Sequence, residues 1–250
     1  MLSLYLVDPD IALAPGSRIR IDGDEGHHIA RVARHGVDER IWISNGQGQR
    51  ATVRIESLDK AAVNVVVEDV ATSQAPRIEL RAIQALTKSD RAHECVELLV
   101  AAGVDQIQPW RAERSIGKWD QANSPAKWSE WVKAAVKQTR RDRIPRIEPF
   151  IDEIAPALTS RSENEIIFAL HEEGSESLDS DLRGLWQSRL EACTRITLVI
   201  GPEGGLSERE LEKLNESGIP LLRLGTPILR SAHAGAIALT SLQASFGLWR

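Results

Sequence analysis

The chain has 250 residues, enough for one large domain or two smaller ones, and its 42% of hydrophobic residues is ordinary for a folded protein. No apolar run approaches the roughly eighteen residues of a membrane span, and the N-terminus lacks the basic region of a signal peptide, so we expect a cytoplasmic protein without a membrane anchor. The net charge of −5 argues against a general nucleic-acid binder, and the distant Cys95 and Cys193 predict buried thiols without metal-ligand spacing.

Residues 1–72 have the pattern of a small β domain. Short apolar or alternating runs, such as the one at 18–21, are separated by turn signals, which is typical of a barrel or meander. Residues 24–35 interrupt these runs with a pattern that predicts one short helix. The stretch 71–76 is polar, consists mostly of small residues and ends in proline, so it predicts the linker to a second domain over residues 73–250.

From residue 73 onward, strand patterns alternate with helix patterns. The predicted strands cover residues 78–86, 106–110, 166–170, 196–200 and 221–224. The predicted helices cover residues 91–102, 125–141, 208–216 and 231–248. A further stretch, 172–180, is poor in apolar residues and predicts a loop. Strands that alternate with helices indicate an α/β fold with a parallel sheet.

The stretch 195–211, RITLVIGPEGGLSEREL, contains the most specific pattern of the chain. A β-branched strand ends at Gly201, a glycine turn follows, and Ser207 with Glu210 predicts a capping box that starts a helix. Adjacent glycines let main chain approach a ligand, and ligands of open α/β sheets bind beyond the carboxyl ends of strands. The turn lacks the Lys-Ser/Thr pair of a phosphate loop, and Glu203 would repel a phosphate. It therefore predicts a site for a neutral or cationic ligand, with a plain strand–turn–helix joint as the alternative.

A second strand–glycine–helix unit lies at residues 221–243, LLRLGTPILRSAHAGAIALTSLQ. Its strand meets Gly225, and the following loop ends in Ile228-Leu229-Arg230. The helix after this loop is rich in alanine and other small residues, which allow neighbouring backbone to pack closely. Two such units near the C-terminus predict two loops that face one pocket.

Together these motifs resemble the signature of the SPOUT (trefoil-knot) RNA methyltransferases, and in particular the RsmE family, which methylates N3 of a uridine in 16S ribosomal RNA. Further blocks of the chain match that family in order. They lie at His27-His28 with Arg31 to Arg34, at Asn45-Gly46-x-Gly48, at residues 85–91, at residues 103–115, and at the Trp128 to Pro145 pattern W-x(6)-A-x(2)-Q-x(2)-R-x-R-x-P. The resemblance implies a PUA-like β-barrel over residues 1–72 and a SPOUT α/β domain with a parallel sheet over residues 73–250, in which the two glycine loops are threaded parts of the knot.

The resemblance implies S-adenosylmethionine as the methyl donor, with its uncharged adenine and its cationic sulfonium. We expect the main chain of the glycine loops to bind the adenine edge, and the end of the strand at Leu170 to close the pocket. The predicted cofactor-binding residues are Leu170, His171, Ile200, Gly201, Glu203, Gly204, Gly205, Leu224, Gly225, Ile228 and Leu229. For Glu203, a solvated turn carboxylate is the alternative role.

Methyl transfer to uridine N3 requires that the N3 proton leaves, which needs a base or a cation that stabilises the uracil anion. Arg230, directly after the second loop, is the predicted cation, and His233, one helical turn later, is the predicted base. The family usually has Arg-Thr-Glu-Thr-Ala at this point, so its carboxylate is replaced here by Ala232. A structural hydrogen bond is the alternative role for His233.

Predicted RNA contacts lie in the barrel, in the catalytic domain and at the end of the helix before Pro145. They are Arg31, Arg34, Lys88, Arg91, Arg114, Arg141 and Arg143. A solvated surface is the alternative for each basic cluster, and Arg114 has an internal ion pair with Glu113 as its alternative. Trp128 and Trp131, three residues apart on a predicted helix, favour core or dimer packing over a base-stacking platform.

The sequence therefore predicts an S-adenosylmethionine-dependent 16S rRNA uracil-N3-methyltransferase. Its predicted partners are 16S ribosomal RNA or the small ribosomal subunit, and a second copy of itself in a homodimer, as in its relatives. Two alternatives stay open. One is a knotted methyltransferase that acts on another RNA site. The other is an RNA-binding or assembly module that has lost catalysis, an alternative that the missing carboxylate at Ala232 supports.

Overall fold

The computed structural model describes residues 2–59, 61–174, 176–177, 186 and 188–248. It divides into two compact units, each made of two stretches of chain. The first unit comprises Met1–Ala75 and Lys133–Ile144, and the second comprises Pro76–Val132 and Pro145–Arg250. The change of unit after residue 75 lies close to the predicted boundary at residue 72, whereas the return of residues 133–144 to the first unit has no counterpart in the sequence pattern.

The first unit is built on a five-stranded sheet. Its strands are β1 (Leu4–Leu6), β2 (Arg18–Ile21), β3 (Arg40–Ser44), β4 (Gln49–Leu58) and β5 (Val63–Thr72). They lie in the order β1-β3-β4-β5-β2, with β1 parallel to β3 and the other pairs antiparallel. The predicted short helix is present as α1 (Gly23–His27), which is followed by a π-helical turn at His28–Val32.

Alternation along the strands produces the core of the first unit. In β2 the exposed Arg18 and Arg20 alternate with the buried Ile19 and Ile21. The same period of two buries Ile41 of β3 completely. Because successive side chains of a strand point to opposite faces, one face of this sheet is apolar and carries the core.

A tight turn between β3 and β4 shows how residues 133–144 join the first unit. Asn45 Oδ1 accepts hydrogen bonds from the main-chain N–H of Gln47 (2.9 Å) and of Gln49 (3.2 Å). Gly46 has a φ of +69°, in the left-handed region that favours glycine. A side chain at Gly46 would also collide with Ile144, so the glycine allows both the turn and the close approach of that segment.

The second unit contains a parallel sheet, as predicted. Its strands are β6 (Glu79–Ala85), β7 (Gln106–Trp110), β8 (Arg146–Ile147), β9 (Glu165–Leu170), β10 (Glu176–Ser177), β11 (Arg195–Ile200) and β12 (Leu221–Arg223). They lie in the order β10-β12-β9-β11-β6-β7-β8. The stretch predicted as a loop at 172–180 contains β10, because its main chain pairs with β12; residues 175 and 178–180 lie outside the described residues.

Helices connect or follow these strands. They are α2 (Ser89–Ala101), α3 (Ser124–Thr139), α4 (Ala155–Thr159), α5 (Glu208–Glu216) and α6 (Ser231–Phe246). All but α4, which was not predicted, lie close to their predicted positions. The α3 helix continues from the second unit into residues 133–139 of the first. No helix in the described part of the chain is long and apolar enough to cross a bilayer.

Helices cover both faces of the parallel sheet. On one face, Val199 of β11 shares an apolar cluster with Leu158 of α4 and Leu214 of α5. On the other face, α6 approaches the sheet through Gly235, where an added Cβ would lie 3.4 Å from Ile200 of β11. Coverage of both faces explains why β11 is a continuous apolar run in the sequence rather than an alternating one.

The two cysteines lie in this unit, and both are buried and free. Complete burial raises the pKa of the Cys95 thiol to about 12. Burial also raises the pKa of Cys193. The prediction of buried, unpaired thiols is therefore confirmed.

The amino ends of the parallel strands are joined by charged side chains. Glu79, the first residue of β6, accepts hydrogen bonds from Arg146 of β8 (2.9 Å), Arg195 of β11 (3.0 Å) and Gln106 of β7 (2.6 Å). The buried Glu165, which opens β9, lies 3.8 Å from Arg195. Partial burial raises the pKa of Glu79, but the hydrogen bonds from the two arginines outweigh this and hold the pKa below its ordinary value.

We expect Glu79→Gln to lower the free energy of unfolding at pH 7 by about 1 kcal/mol, because a neutral amide replaces a partly exposed carboxylate that two arginines share. Since the folded-state pKa lies below the ordinary 4.5, this stabilisation is present above pH 4.5 and is lost as the pH falls through the folded-state value. Urea unfolding of both proteins, at pH 7 and at successively lower pH, measures the difference.

Glu163→Gln is the matched control, because Glu163 lies two residues before Glu165 but is exposed. It should leave the free energy of unfolding within about 0.5 kcal/mol of the wild-type value. A difference between wild type and Glu79→Gln that stays constant on acidification would contradict the assigned role of the carboxylate.

Candidate functional site

A cleft of about 550 Å³ opens at the carboxyl ends of β9, β11 and β12. Three loops line it, at residues 170–172 after β9, at 200–206 after β11 and at 222–231 after β12. The three strand ends are neighbours because β9 lies between β11 and β12 in the sheet. Small-molecule sites typically have volumes of roughly 300–1,000 Å³, so the cleft has the size of such a site.

The structure brings the predicted cofactor-binding residues together in this cleft. Its lining includes Leu170, His171, Ile200, Gly201, Glu203, Gly204, Gly205, Leu224, Gly225, Ile228 and Leu229. Arg230 also lines the cleft, whereas His233 is not part of the lining. The two glycine loops therefore face one pocket, as the sequence indicates.

Two glycines of these loops have conformations that other residues rarely adopt. Gly205 has a φ of +71° and Gly225 a φ of +122°. A Cβ at Gly205 would meet no atom within 4 Å, so the backbone conformation, and not a lack of space, requires glycine there.

Side chains from the end of β7 and the segment after it hold the first glycine loop. Arg114 Nη1 donates to the carbonyl oxygens of Gly204 and Leu206, both at 3.2 Å. Trp110 Nε1 donates to the carbonyl oxygen of Ile200 at 3.3 Å. Arg114, predicted as an RNA contact, thus supports the main chain of the cleft. The neighbouring Glu113, its alternative ion-pair partner, instead lies 3.6 Å from Arg209.

The predicted capping box is present at the start of α5 and has an additional role. Glu210 N–H donates to Ser207 Oγ (3.2 Å), and Ser207 N–H donates to Glu210 Oε2 (2.8 Å). The other carboxylate oxygen of the buried Glu210 accepts from the N–H of Glu113 (2.9 Å). One side chain therefore fixes both the helix start and the segment that carries Arg114.

A polar chain that the sequence did not reveal connects three elements behind the cleft. Ser231 Oγ, at the start of α6, donates to the carbonyl oxygen of Gly201 (2.5 Å). The same hydroxyl accepts a hydrogen bond from Gln84 Nε2 on β6 (3.2 Å). Gln84 is almost fully buried, so this chain fixes the first glycine loop relative to α6. Its members are separated by up to 147 residues, and no local pattern links them.

His233 lies in the first turn of α6, next to a carboxylate from another helix. Its Nε2 is 3.0 Å from Oε1 of Glu94 on α2. The hydrogen bond from His233 lowers the pKa of Glu94, and the charges of His233, Arg230 and Arg91 lower it further. Ala232, where the family usually has its carboxylate, is buried. Glu94 is not among the predicted site residues, because it lies 139 residues before His233 and no local pattern links the two.

Two other predicted RNA contacts of the second unit are Arg91, which lines the cleft, and Lys88, which lies at the start of α2. Arg91 lines the cleft, with Nη1 4.0 Å from Oε1 of Glu203. Lys88 is exposed at the N-cap of α2. Their contacts with RNA stay predictions.

The predicted RNA contacts of the first unit are not equivalent in the structure. Arg31 lies on the π-helical turn and Arg34 two residues after its end, and both are exposed. Arg141 is partly exposed, whereas Arg143 Nη2 donates to the carbonyl oxygen of Ser73 (2.8 Å). Arg143 therefore holds the end of β5 and the segment 133–144 together, and RNA contact by all four arginines stays a prediction.

The tryptophans of α3 belong to an aromatic cluster. Trp128 is buried, and its ring contacts those of Trp119 and Trp131. The Trp131 ring stacks on the His93 ring, with 5.0 Å between the ring centroids. The ammonium nitrogen of Lys127 also lies 5.0 Å from the centroid of the Trp131 ring. These contacts favour packing over base stacking for the two tryptophans, in line with the sequence interpretation.

Comparisons with known proteins agree with this geometry. The family model described as RNA methyltransferase domain matches residues 73–243, and the model described as RNA methyltransferase PUA domain matches residues 21–68. Ribosomal RNA small subunit methyltransferase E of Mycobacterium bovis is 31% identical, with 98% of this chain and 93% of that protein covered. The protein of the same name from Bacillus subtilis is 27% identical over 89% of this chain and 88% of its own length.

A solved structure shows the same fold. It is a ribosomal RNA small subunit methyltransferase E from Neisseria gonorrhoeae bound to S-adenosyl methionine. The TM-score is 0.85 at 24% identity, with 100% of this chain and 98% of that chain covered. The predicted fold class, a PUA-like β-barrel before a SPOUT α/β domain, is confirmed. This chain therefore belongs to the RsmE family of SPOUT RNA methyltransferases.

Proposed function

We propose that this protein transfers the methyl group of S-adenosylmethionine to N3 of a uridine in the 16S RNA of the small ribosomal subunit. The observation that carries the proposal is the cleft at the carboxyl ends of β9, β11 and β12, lined by the main chain of two glycine loops, with Arg230 in its wall. The names of the Mycobacterium and Bacillus relatives support a small-subunit RNA as the substrate.

The residues of the cleft fit S-adenosylmethionine, which supplies an electrophilic methyl group on a cationic sulfur. Exposed main chain at Gly204, Gly205 and Gly225 offers polar groups that can pair with an adenine edge without side-chain interference. The side chain of Ile228, 79% exposed, offers an apolar surface to the ring. The lining contains both carboxylates, such as that of Glu203, and guanidinium groups, so it offers partners to the sulfonium and to the carboxylate of the donor.

We expect Gly205→Ala to weaken binding of S-adenosylmethionine about tenfold, because a methyl group then projects from the loop that we assign to the adenine and the left-handed backbone is strained. Isothermal titration calorimetry with the full chain measures the dissociation constant.

Gly218→Ala is the matched control. Gly218 has a φ of +66°, nearly that of Gly205, and an added Cβ there would also meet no atom within 4 Å. It follows α5 and is not part of the cleft lining. Equal affinities in the two variants would show that the first glycine loop does not hold the donor.

Uridine N3 makes two demands on the enzyme. The base must be unpaired or flipped out, at a cost of a few kcal/mol, and the N3 proton must leave. Arg230 is the N-cap residue of α6, and its exposed side chain lines the cleft, where the guanidinium can stabilise negative charge on the uracil as the proton leaves. The loops contribute by in-line positioning of donor and base, which can lower a barrier by roughly 7–11 kcal/mol.

We expect Arg230→Ala to reduce the rate of methyl transfer about 100-fold while the affinity for S-adenosylmethionine changes less than about threefold, because Arg230 acts on charge that develops in the transition state. Transfer of labelled methyl groups to small subunits that lack the modification measures the rate. Arg230→Lys keeps the charge and should retain more activity than the alanine variant. A parallel loss of donor binding would instead assign Arg230 to the donor.

A mass-spectrometric map of modified uridines in ribosomal RNA, with and without the gene, tests the substrate. Loss of one N3-methyluridine from 16S RNA supports the proposal. Loss of a modification elsewhere would favour a knotted methyltransferase for another RNA site. An unchanged map from a protein that does not bind S-adenosylmethionine would favour an RNA-binding or assembly module without catalysis.

The proposal also includes a homodimer, which the family resemblance implies, and a cytoplasmic location, where the ribosomal substrate occurs. Light scattering on the purified chain measures the first, and cell fractionation measures the second.

A further inference from the structure

A carboxylate from a different helix lies beside His233. Glu94 of α2 is exposed and hydrogen-bonded to His233, whose imidazole is partly exposed in the first turn of α6. The two cationic groups that act on the same carboxylate, Arg91 and Arg230, both line the cleft. A carboxylate, an imidazole and two guanidinium groups are therefore gathered beside the cleft.

We infer that Glu94 is a positioning residue for His233, and that it replaces, from α2, the carboxylate that the family carries at position 232. The inference rests on the proposed function, because it gives His233 the role of proton acceptor for uridine N3. It goes beyond the family pattern, since Glu94 lies outside the motif that contains His233.

The hydrogen bond fixes which ring nitrogen can accept a proton. An ionised carboxylate only accepts hydrogen bonds, so Nε2 of His233 carries the hydrogen that Glu94 accepts. The lone pair then resides on Nδ1, which we assign as the proton acceptor for uridine N3. Glu94 thus selects the tautomer and orients the ring, as the buried carboxylate of a Ser-His-Asp triad does.

In the proposed step, the N3–H bond of the uracil breaks and its proton goes to Nδ1 of His233. The electron pair left on N3 forms the bond to the methyl carbon, while the pair of the carbon–sulfur bond goes to sulfur, which leaves as a neutral thioether. His233 becomes an imidazolium, and the carboxylate of Glu94 stabilises that charge.

Electrostatics explain why the chain needs a carboxylate at this point. Arg230 lies three residues before His233 and adds positive charge at the start of α6. Arg91 adds positive charge from α2. Glu94 offsets both and allows a cation and a base to work within one helical turn.

The competing explanation is that the hydrogen bond between Glu94 and His233 only holds α2 against α6. The two helices pack closely, since an added Cβ at Gly235 would lie 2.9 Å from Leu99 Cδ2. Loss of a purely structural hydrogen bond would affect stability and donor binding. It would not change the rate of methyl transfer by a folded protein that has bound donor and RNA.

The test is steady-state methyl transfer by the full chain, with labelled S-adenosylmethionine and small subunits from a strain that lacks the gene. We expect Glu94→Gln to lower kcat at least tenfold, and His233→Ala about 100-fold, with KM for the subunits and Kd for the donor within about twofold. The double variant should be no slower than His233→Ala, because Glu94 acts only through His233.

Glu97→Gln is the matched control. It breaks another Glu–His pair of α2, in which Glu97 lies 3.5 Å from His93, and should leave kcat unchanged. The inference is overturned if Glu94→Gln keeps its kcat, if it loses donor affinity in step with kcat, or if the losses of the two single variants multiply. A wild-type protein that binds the donor but leaves these subunits unmethylated would instead overturn the proposed function, and this inference with it.

Discussion

The cleft depends on the fixed register of the central parallel strands. Glu165, Arg195 and Glu79 open three adjacent strands and lie directly opposite one another. Opposite charges alternate across them, which favours this alignment over one shifted by a residue. Because β9, β11 and β6 have six or seven residues each, strands that begin together also end together. The ion pairs at the amino ends of the strands therefore determine the alignment of the loops at their carboxyl ends, where the cleft opens.

The first glycine loop is held almost entirely by its carbonyl groups. Trp110, Arg114 and Ser231 donate to main-chain oxygens at four positions between residues 200 and 206. These donors come from the end of β7, the segment after it and the start of α6. A loop supported in this way has its shape before a ligand arrives, so binding costs less ordering entropy.

Much of this structure was predictable from local sequence patterns. The strands, the capping box of Ser207 and Glu210, and both glycine loops lie within short stretches, and the cleft was predictable from them. The supports were not, since Trp110, Gln84 and Glu94 reach partners that are 90 to 147 residues away. Arg114 and Arg143 show the same limit, because a basic residue has the same sequence signature whether it faces solvent or donates to a main-chain carbonyl.

Burial of the thiols has a consequence for the chemistry of the whole protein. Only a thiolate reacts readily with oxidants and alkylating reagents, and Cys95, with a pKa of about 12, holds its proton throughout the physiological range. Cys193 is also buried, and its burial raises the pKa of the thiol in the same direction. Glu94 and Cys95 are adjacent in the chain, yet one faces solvent while the other is sealed in the interior. We therefore expect neither thiol of the folded protein to react readily with peroxide or alkylating reagents.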